Sequence, residues 1–68
     1  MNTNLLKGKM REKGLTQEAV AVRMGVSLSR FNAKLNERAG AEFSLGEVQT
    51  LRRMLDLTAK QTEQIFFA

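Results

Sequence analysis

The chain has 68 residues, a formal net charge of +4 at neutral pH and a hydrophobic content of 43%. A chain of this length forms one domain over residues 1–68, and its hydrophobic content is too high for a disordered protein. It contains no cysteine and no histidine. Because this removes disulfides, the commonest metal ligands and the usual general base, we expect no metal, no cofactor and no enzymatic activity.

The N-terminal half carries most of the positive charge. Residues 1–38 hold eight basic and three acidic side chains, whereas residues 39–68 hold three basic and four acidic ones. A basic surface attracts polyanions and accelerates their capture. A solvated basic face without a partner is an equally good interpretation of the charge alone.

No segment predicts membrane insertion or export. The apolar runs are far shorter than the roughly 18 residues that a membrane-spanning helix needs. Residues 1–10 contain lysines but lack the apolar stretch of a signal peptide. We therefore expect a soluble, cytoplasmic protein that does not contact a membrane.

The first predicted element is a helix over residues 3–13. Leu6 and Met10 are four positions apart, so they share one face of that helix. Gly14 follows at a position where a left-handed residue would end the helix.

Residues 16–36 have the pattern of two short helices joined by a tight turn. Thr16 is a favourable N-cap for the first of these helices, and Gly25 supplies the positive φ that ends it. Ser27 is a favourable N-cap for the next helix. This spacing is typical of a helix-turn-helix, whose second helix fits the DNA major groove.

In the third predicted helix, Phe31 and Leu35 are four positions apart and face inward. At about 100° per residue, the opposite face is small and polar. Small amides and hydroxyls can approach base edges closely, and an Asn can pair with adenine through two hydrogen bonds. The outward residues are Ser29, Asn32, Ala33 and Asn36.

Two capping boxes predict two further helices in the C-terminal half. Residues 44–47 open a helix with an apolar stripe, and residues 58–61 open a short last helix. Residues 37–43 form the loop before them, with Phe43 as its anchor to the core. The apolar stripe consists of Leu45, Val48, Leu51 and Leu55.

The pattern of residues 13–36 resembles the Cro/repressor helix-turn-helix family of phage and bacterial regulators, and in particular a short phage subgroup. The similarity spans about residues 5–67. It implies an all-α, compact five-helix domain of the lambda-repressor-like type, with the helix-turn-helix at helices 2 and 3. The matching residues are Lys13-Gly14-Leu15-Thr16-Gln17-Glu18, Ala21, Met24-Gly25-Val26-Ser27 and Phe31-Asn32-x-Lys34-Leu35-Asn36.

The resemblance also implies a sequence-specific transcriptional regulator, a phage or prophage repressor that binds double-stranded operator DNA as a homodimer. It implies a phosphate contact at Gln17. The family positions at the front of the third helix are Ser27, Leu28, Ser29, Asn32 and Ala33. The neighbouring polar and basic candidates for DNA contact are Arg30, Lys34, Asn36 and Arg38.

The sequence departs from the family pattern at three positions. Leu28 and Ala33 stand where strong base readers carry Gln, Arg or Lys, and Val22 stands where a charged residue is usual. Apolar side chains can contact a thymine methyl group but cannot form a bidentate hydrogen bond with a base. A second hypothesis is therefore a modulator that binds a partner repressor protein and alters its DNA binding. A third is an antitoxin, which needs a toxin partner.

Three large apolar residues follow one another near the end of the chain: Ile65, Phe66 and Phe67. They cannot all face one core from the same helix, so we expect Phe67, together with Ile65 or Phe66, to form the interface with a second copy of the chain. A symmetric dimer would place two recognition helices about 34 Å apart, which matches a palindromic operator.

Overall fold

The computed structural model describes residues 1–67, and every regular element in that range is helical. The Cα radius of gyration is 10.8 Å, with extents of 28 × 25 × 20 Å, which confirms the expected compact all-α architecture. The five α-helices are α1 (Thr3–Glu12), α2 (Gln17–Met24), α3 (Leu28–Leu35), α4 (Leu45–Met54) and α5 (Ala59–Thr62). A 3₁₀ turn at Arg38–Gly40 precedes α4, and a π-helical turn at Glu63–Phe67 follows α5.

Within residues 1–67, no helix combines the length and the apolar character that a bilayer crossing would require.

Every α-helix is directly preceded by a polar residue whose side chain accepts a hydrogen bond from the backbone N–H three positions later. This contact satisfies one of the N–H groups that a helix leaves free at its start. Glu47 and Gln61 return the bond to the N-cap backbone, so both predicted capping boxes are confirmed. The capping residues are Asn2, Thr16, Ser27, Ser44 and Thr58.

The core receives side chains from α1 to α4, from the segment that follows α4 and from the π-helical turn. Phe31 is the largest of the fully buried side chains. Its ring lies 5.7 Å from that of Phe43, which meets the ring of Phe66 edge-on at 6.2 Å, so Phe43 anchors the preceding loop as predicted. The core cluster is Leu6, Met10, Val20, Ala21, Phe31, Leu35, Leu51, Leu55, Leu57 and Ile65.

The apolar stripe predicted for α4 is wrong at its first member. Val48, Leu51 and Leu55 are buried, but Leu45 is 68% exposed. Leu45 is the first residue of the helix and lies about 120° from Leu51 around the helix axis. It therefore falls at the edge of the face that meets the core.

The turn between α2 and α3 is fixed by Gly25. Its φ of 73° is in the left-handed region, which only glycine adopts freely. Its N–H donates to the carbonyl of Val22, and the N–H of Val26 donates to the carbonyl of Ala21, both at 3.1 Å. These two bonds form a Schellman motif that satisfies the last carbonyls of α2 and turns the chain into α3.

The change Gly25→Ala is expected to lower the free energy of unfolding by about 1–2 kcal/mol because the backbone would hold alanine in the left-handed region. A Cβ at this position would meet no atom within 4 Å, so the loss is conformational and not steric. Gly8→Ala is the matched control, since Gly8 lies inside α1 and is equally open. That change should stabilise the protein by about 0.5–1 kcal/mol. Urea unfolding measures both values, and equal effects of the two substitutions would contradict the requirement for a left-handed residue at Gly25.

Candidate nucleic-acid interface

The start of α2 and the exposed face of α3 meet at a shallow, open depression, which we call the α2–α3 surface. Five residues expected to contact DNA lie here together, although they come from three separate parts of the chain. The acidic Glu18 also lies on this surface and would oppose a phosphate. The lining residues are Thr16, Gln17, Glu18, Leu28, Ser29, Asn32 and Arg38.

The remaining candidates for DNA contact are not among the residues that line this surface. The Ser27 hydroxyl accepts the N–H of Arg30 at 3.1 Å, so Ser27 is the N-cap of α3 as predicted. Arg30 and Asn36 are exposed, whereas Ala33 is half-buried. Of the basic candidates, Arg38 lines the α2–α3 surface, and Arg30 is exposed on α3 outside that lining.

Asn32 is held by neighbouring amides and does not project freely. Its Nδ2 donates to Oε1 of Gln17 at 2.9 Å, which joins α3 to the first residue of α2. Nδ2 of Asn36 donates to the backbone oxygen of Asn32 at 2.9 Å and to its Oδ1 at 3.3 Å. The periodicity of α3 placed Asn32 on the outward face, but it gave no sign of the contact with Gln17, a residue 15 positions away.

Lys34 was expected to contact DNA, but its ammonium group is engaged within the protein. Its Nζ lies 2.8 Å and 2.6 Å from the two carboxylate oxygens of Glu47, and the two side chains are only 15% and 16% exposed. Lys34 is about 60° from Phe31 around the axis of α3. Its stem therefore follows the buried side of the helix, and its ammonium group reaches the start of α4.

Glu47 serves both the ion pair and the helix cap. Its Oε1 accepts the backbone N–H of Ser44 at 2.8 Å in addition to the ammonium of Lys34. Burial by itself raises the pKa of Glu47, but the hydrogen bonds from Lys34 and from the Ser44 backbone outweigh it and hold the pKa below its ordinary value. The carboxylate therefore ties the start of α4 to α3.

The C-terminal cluster divides between the core and the surface. Ile65 is fully buried within the chain, so the expectation that it lies at a dimer interface is corrected. Phe66 is half-buried, and Phe67 is 64% exposed. The two rings form one wall of a groove whose other apolar lining includes Phe43 and Val48. Within the π-helical turn, Ile65 therefore belongs to the core, whereas Phe66 and Phe67 line the groove.

Comparison of the chain with protein-family models, with characterised proteins and with solved structures gave no match. The likeness to the Cro/repressor family is one of sequence pattern.

The ion pair between Lys34 and Glu47 should give the protein a specific acid sensitivity. Because the pKa of Glu47 is lower in the folded chain, the unfolded chain takes up a proton first as the pH falls. The stabilisation is complete above the ordinary pKa of a glutamate and is lost as the pH falls through the lowered pKa of Glu47.

The change Glu47→Gln is expected to lower the free energy of unfolding by about 1–3 kcal/mol at neutral pH, because it leaves the ammonium of Lys34 without its charge partner. The same change should flatten the acid limb of the stability curve. Glu42→Gln is the matched control, since Glu42 is exposed. Urea unfolding at a series of pH values measures both effects. If the free energy of unfolding of Glu47→Gln ran parallel to that of the wild type across the pH series, Glu47 would not be the source of the acid sensitivity.

Proposed function

We propose that the protein is a Cro-like transcriptional regulator of the lambda-repressor-like type that binds double-stranded operator DNA with α3 in the major groove. The observation that supports this most is the meeting of the start of α2 with the exposed face of α3. It gathers Gln17, Ser29 and Arg38 on one surface. Helices α2 and α3, joined by the turn at Gly25, are then the helix-turn-helix.

The side chains of the α2–α3 surface divide into two chemical groups. Gln17 and Arg38 offer N–H donors to phosphate oxygens, which position the protein on DNA without reading sequence. Ser29 offers a hydroxyl to base edges, and Leu28, at 46% exposure, offers an apolar contact to a thymine methyl group. Base reading by this surface uses short side chains and depends on close approach of α3.

A second candidate function is that of a modulator that binds a partner repressor protein. Val22 on α2 is 72% exposed, which is a large exposure for an apolar side chain and leaves it available to a protein partner. For a modulator, binding to specific and to unrelated duplexes should be equal. The change Val22→Lys should then abolish copurification with a coexpressed partner repressor. An operator-binding protein should show a sequence preference and tolerate Val22→Lys.

Selection from a pool of random duplexes tests the operator-binding function. The wild type is expected to enrich one sequence and to bind it with an affinity that falls steeply as salt rises. Arg38→Ala should weaken binding to all duplexes and reduce the slope of log affinity against log salt by about 1. Lys60→Ala is the matched control, because this exposed cation lies on α5 and not on the α2–α3 surface. Equal slopes for the wild type and Arg38→Ala would contradict the phosphate contact.

The proposal includes a symmetric dimer that buries Phe67. This ring is exposed beside the groove formed with Phe43, Val48 and Phe66, so a second copy would cover an apolar surface that is now in water. Leu45 lies one helical turn before Val48 and would extend the same surface.

The change Phe67→Ser should raise the dimer dissociation constant by at least about tenfold, the size expected for one large apolar side chain left unburied. Val22→Ser removes an equally exposed apolar side chain from α2 and should leave the constant unchanged. Sedimentation equilibrium with and without the selected duplex measures the constant. A wild type that stays monomeric at high micromolar concentration in both conditions would refute the dimer.

A further inference from the structure

We propose that Asn36 and Asn32 are positioning residues that fix the orientation of the Gln17 amide, so that its Nε2 donates to a DNA phosphate. We call the three side chains the amide relay. The inference rests on the proposed function and deepens it, since it identifies the contacting atom and separates the residues that position DNA from those that read it.

The relay starts at a group whose chemistry leaves no ambiguity. Nδ2 of Asn36 lies 2.9 Å from the backbone oxygen of Asn32. A carbonyl oxygen only accepts hydrogen bonds, so the nitrogen of the Asn36 amide, and not its oxygen, must face it. The orientation of the Asn36 amide is therefore set by the backbone of α3.

The orientation of Asn36 then sets that of Asn32. The same Nδ2 lies 3.3 Å from Oδ1 of Asn32, where an acceptor is required. The opposite orientation of Asn32 would place two amide nitrogens against each other with no acceptor between them. Oδ1 of Asn32 therefore faces Asn36, and its Nδ2 is directed towards α2.

Asn32 in turn sets the orientation of Gln17. Nδ2 of Asn32 donates to Oε1 of Gln17 at 2.9 Å, which holds the amide oxygen of Gln17 towards α3. The Nε2 of Gln17 keeps two N–H groups for a ligand. Because phosphate oxygens only accept, this is the orientation that suits DNA, and the reversed amide would present an oxygen to an oxygen.

The position of Gln17 agrees with this assignment. It is the first residue of α2, an eight-residue helix, and it lines the α2–α3 surface. The positive end of the helix dipole favours an anion at the same place. The amide orientation and the helix terminus are two independent features, and both favour an anion beside Gln17.

The relay also changes the role of Asn32 in recognition. Its Oδ1 and one N–H are used within the protein, and the side chain is half-buried. Reading of base edges then falls to Ser29 and Leu28 in the first turn of α3. Loss of Asn32 should accordingly weaken binding to every duplex by the same factor.

A double-mutant cycle tests the relay. Affinities of Gln17→Ala, Asn32→Ala and the double variant are measured for the duplex selected by the wild type and for a duplex of unrelated sequence. Each single change should lower both affinities by up to about tenfold, the net worth of one hydrogen bond. The double variant should bind no more weakly than Gln17→Ala. The ratio of the two affinities should stay at its wild-type value in all three.

Two further variants separate positioning from general damage to the fold. Gln17→Glu keeps an acceptor for Asn32 but presents a carboxylate to the phosphate, so it should bind both duplexes more weakly than Gln17→Ala while remaining folded. Ser29→Ala should instead reduce the ratio of specific to unrelated affinity. The thermal unfolding midpoint of each variant shows that the folded protein is being compared.

Other outcomes would overturn the relay. Additive losses in the double variant would show that Asn32 acts independently of Gln17. A reduced affinity ratio in Asn32→Ala would show that Asn32 reads a base directly. The operator-binding function would then stand without the relay. A wild type that binds no duplex at all would overturn the proposed function itself and the relay with it.

Discussion

The burial of Phe31 determines how the rest of the molecule is arranged. This side chain is fully enclosed, and Leu35 one turn later is enclosed with it, so α3 can lie only with that face against the core. The opposite face is then presented to solvent next to the start of α2. Phe43 packs on the ring of Phe31 from the far side, so the same residue that directs α3 also holds the loop leading to α4. The exposed surface of α3 is thus a consequence of core packing.

The ion pair of Lys34 and Glu47 adds a second constraint on α3. A pair that is only about one-sixth exposed pays a desolvation cost, which good geometry and further hydrogen bonds offset. Glu47 has both, because Ser44 donates to the same carboxylate. The consequence for function is that the charge of Lys34 stabilises the fold through its pair with Glu47. At the proposed DNA-binding surface itself the positive charge comes from Arg38, and Glu18 partly offsets it. Arg30 is exposed on α3 outside that lining.

The features that the sequence predicted are those decided within a few residues. The caps at Thr16, Ser27 and Ser44 and the turn at Gly25 follow from local backbone chemistry, and the inward residues of α3 follow from helical spacing. Three features were wrong or were missed, and each depends on residues far apart in the chain. Leu45 is exposed because it lies at the edge of the face that meets the core. Lys34 is paired because α4 begins beside it. Ile65 is buried beside the N-terminal segment, where the N–H of Asn2 donates to the carbonyl of Ile65. Periodicity indicates which face of a helix is inward, but it does not indicate which distant residues pack against the edge of that face.

The amide relay also depends on a contact between distant residues, because Asn32 and Gln17 lie on different helices. This contact lowers the entropy cost of binding a ligand. A free glutamine loses rotamer freedom when it binds, at a cost of about 0.5–1.5 kcal/mol for one side chain. Gln17 is restrained by Asn32 before any ligand arrives, so less of that entropy remains to be lost. The restraint uses neutral amides and therefore adds no charge to be desolvated, unlike a second ion pair of the kind that Lys34 makes. In the proposed complex, one side of the α2–α3 surface is set before DNA binds, and discrimination between sequences then depends on how closely the first turn of α3 approaches the base edges.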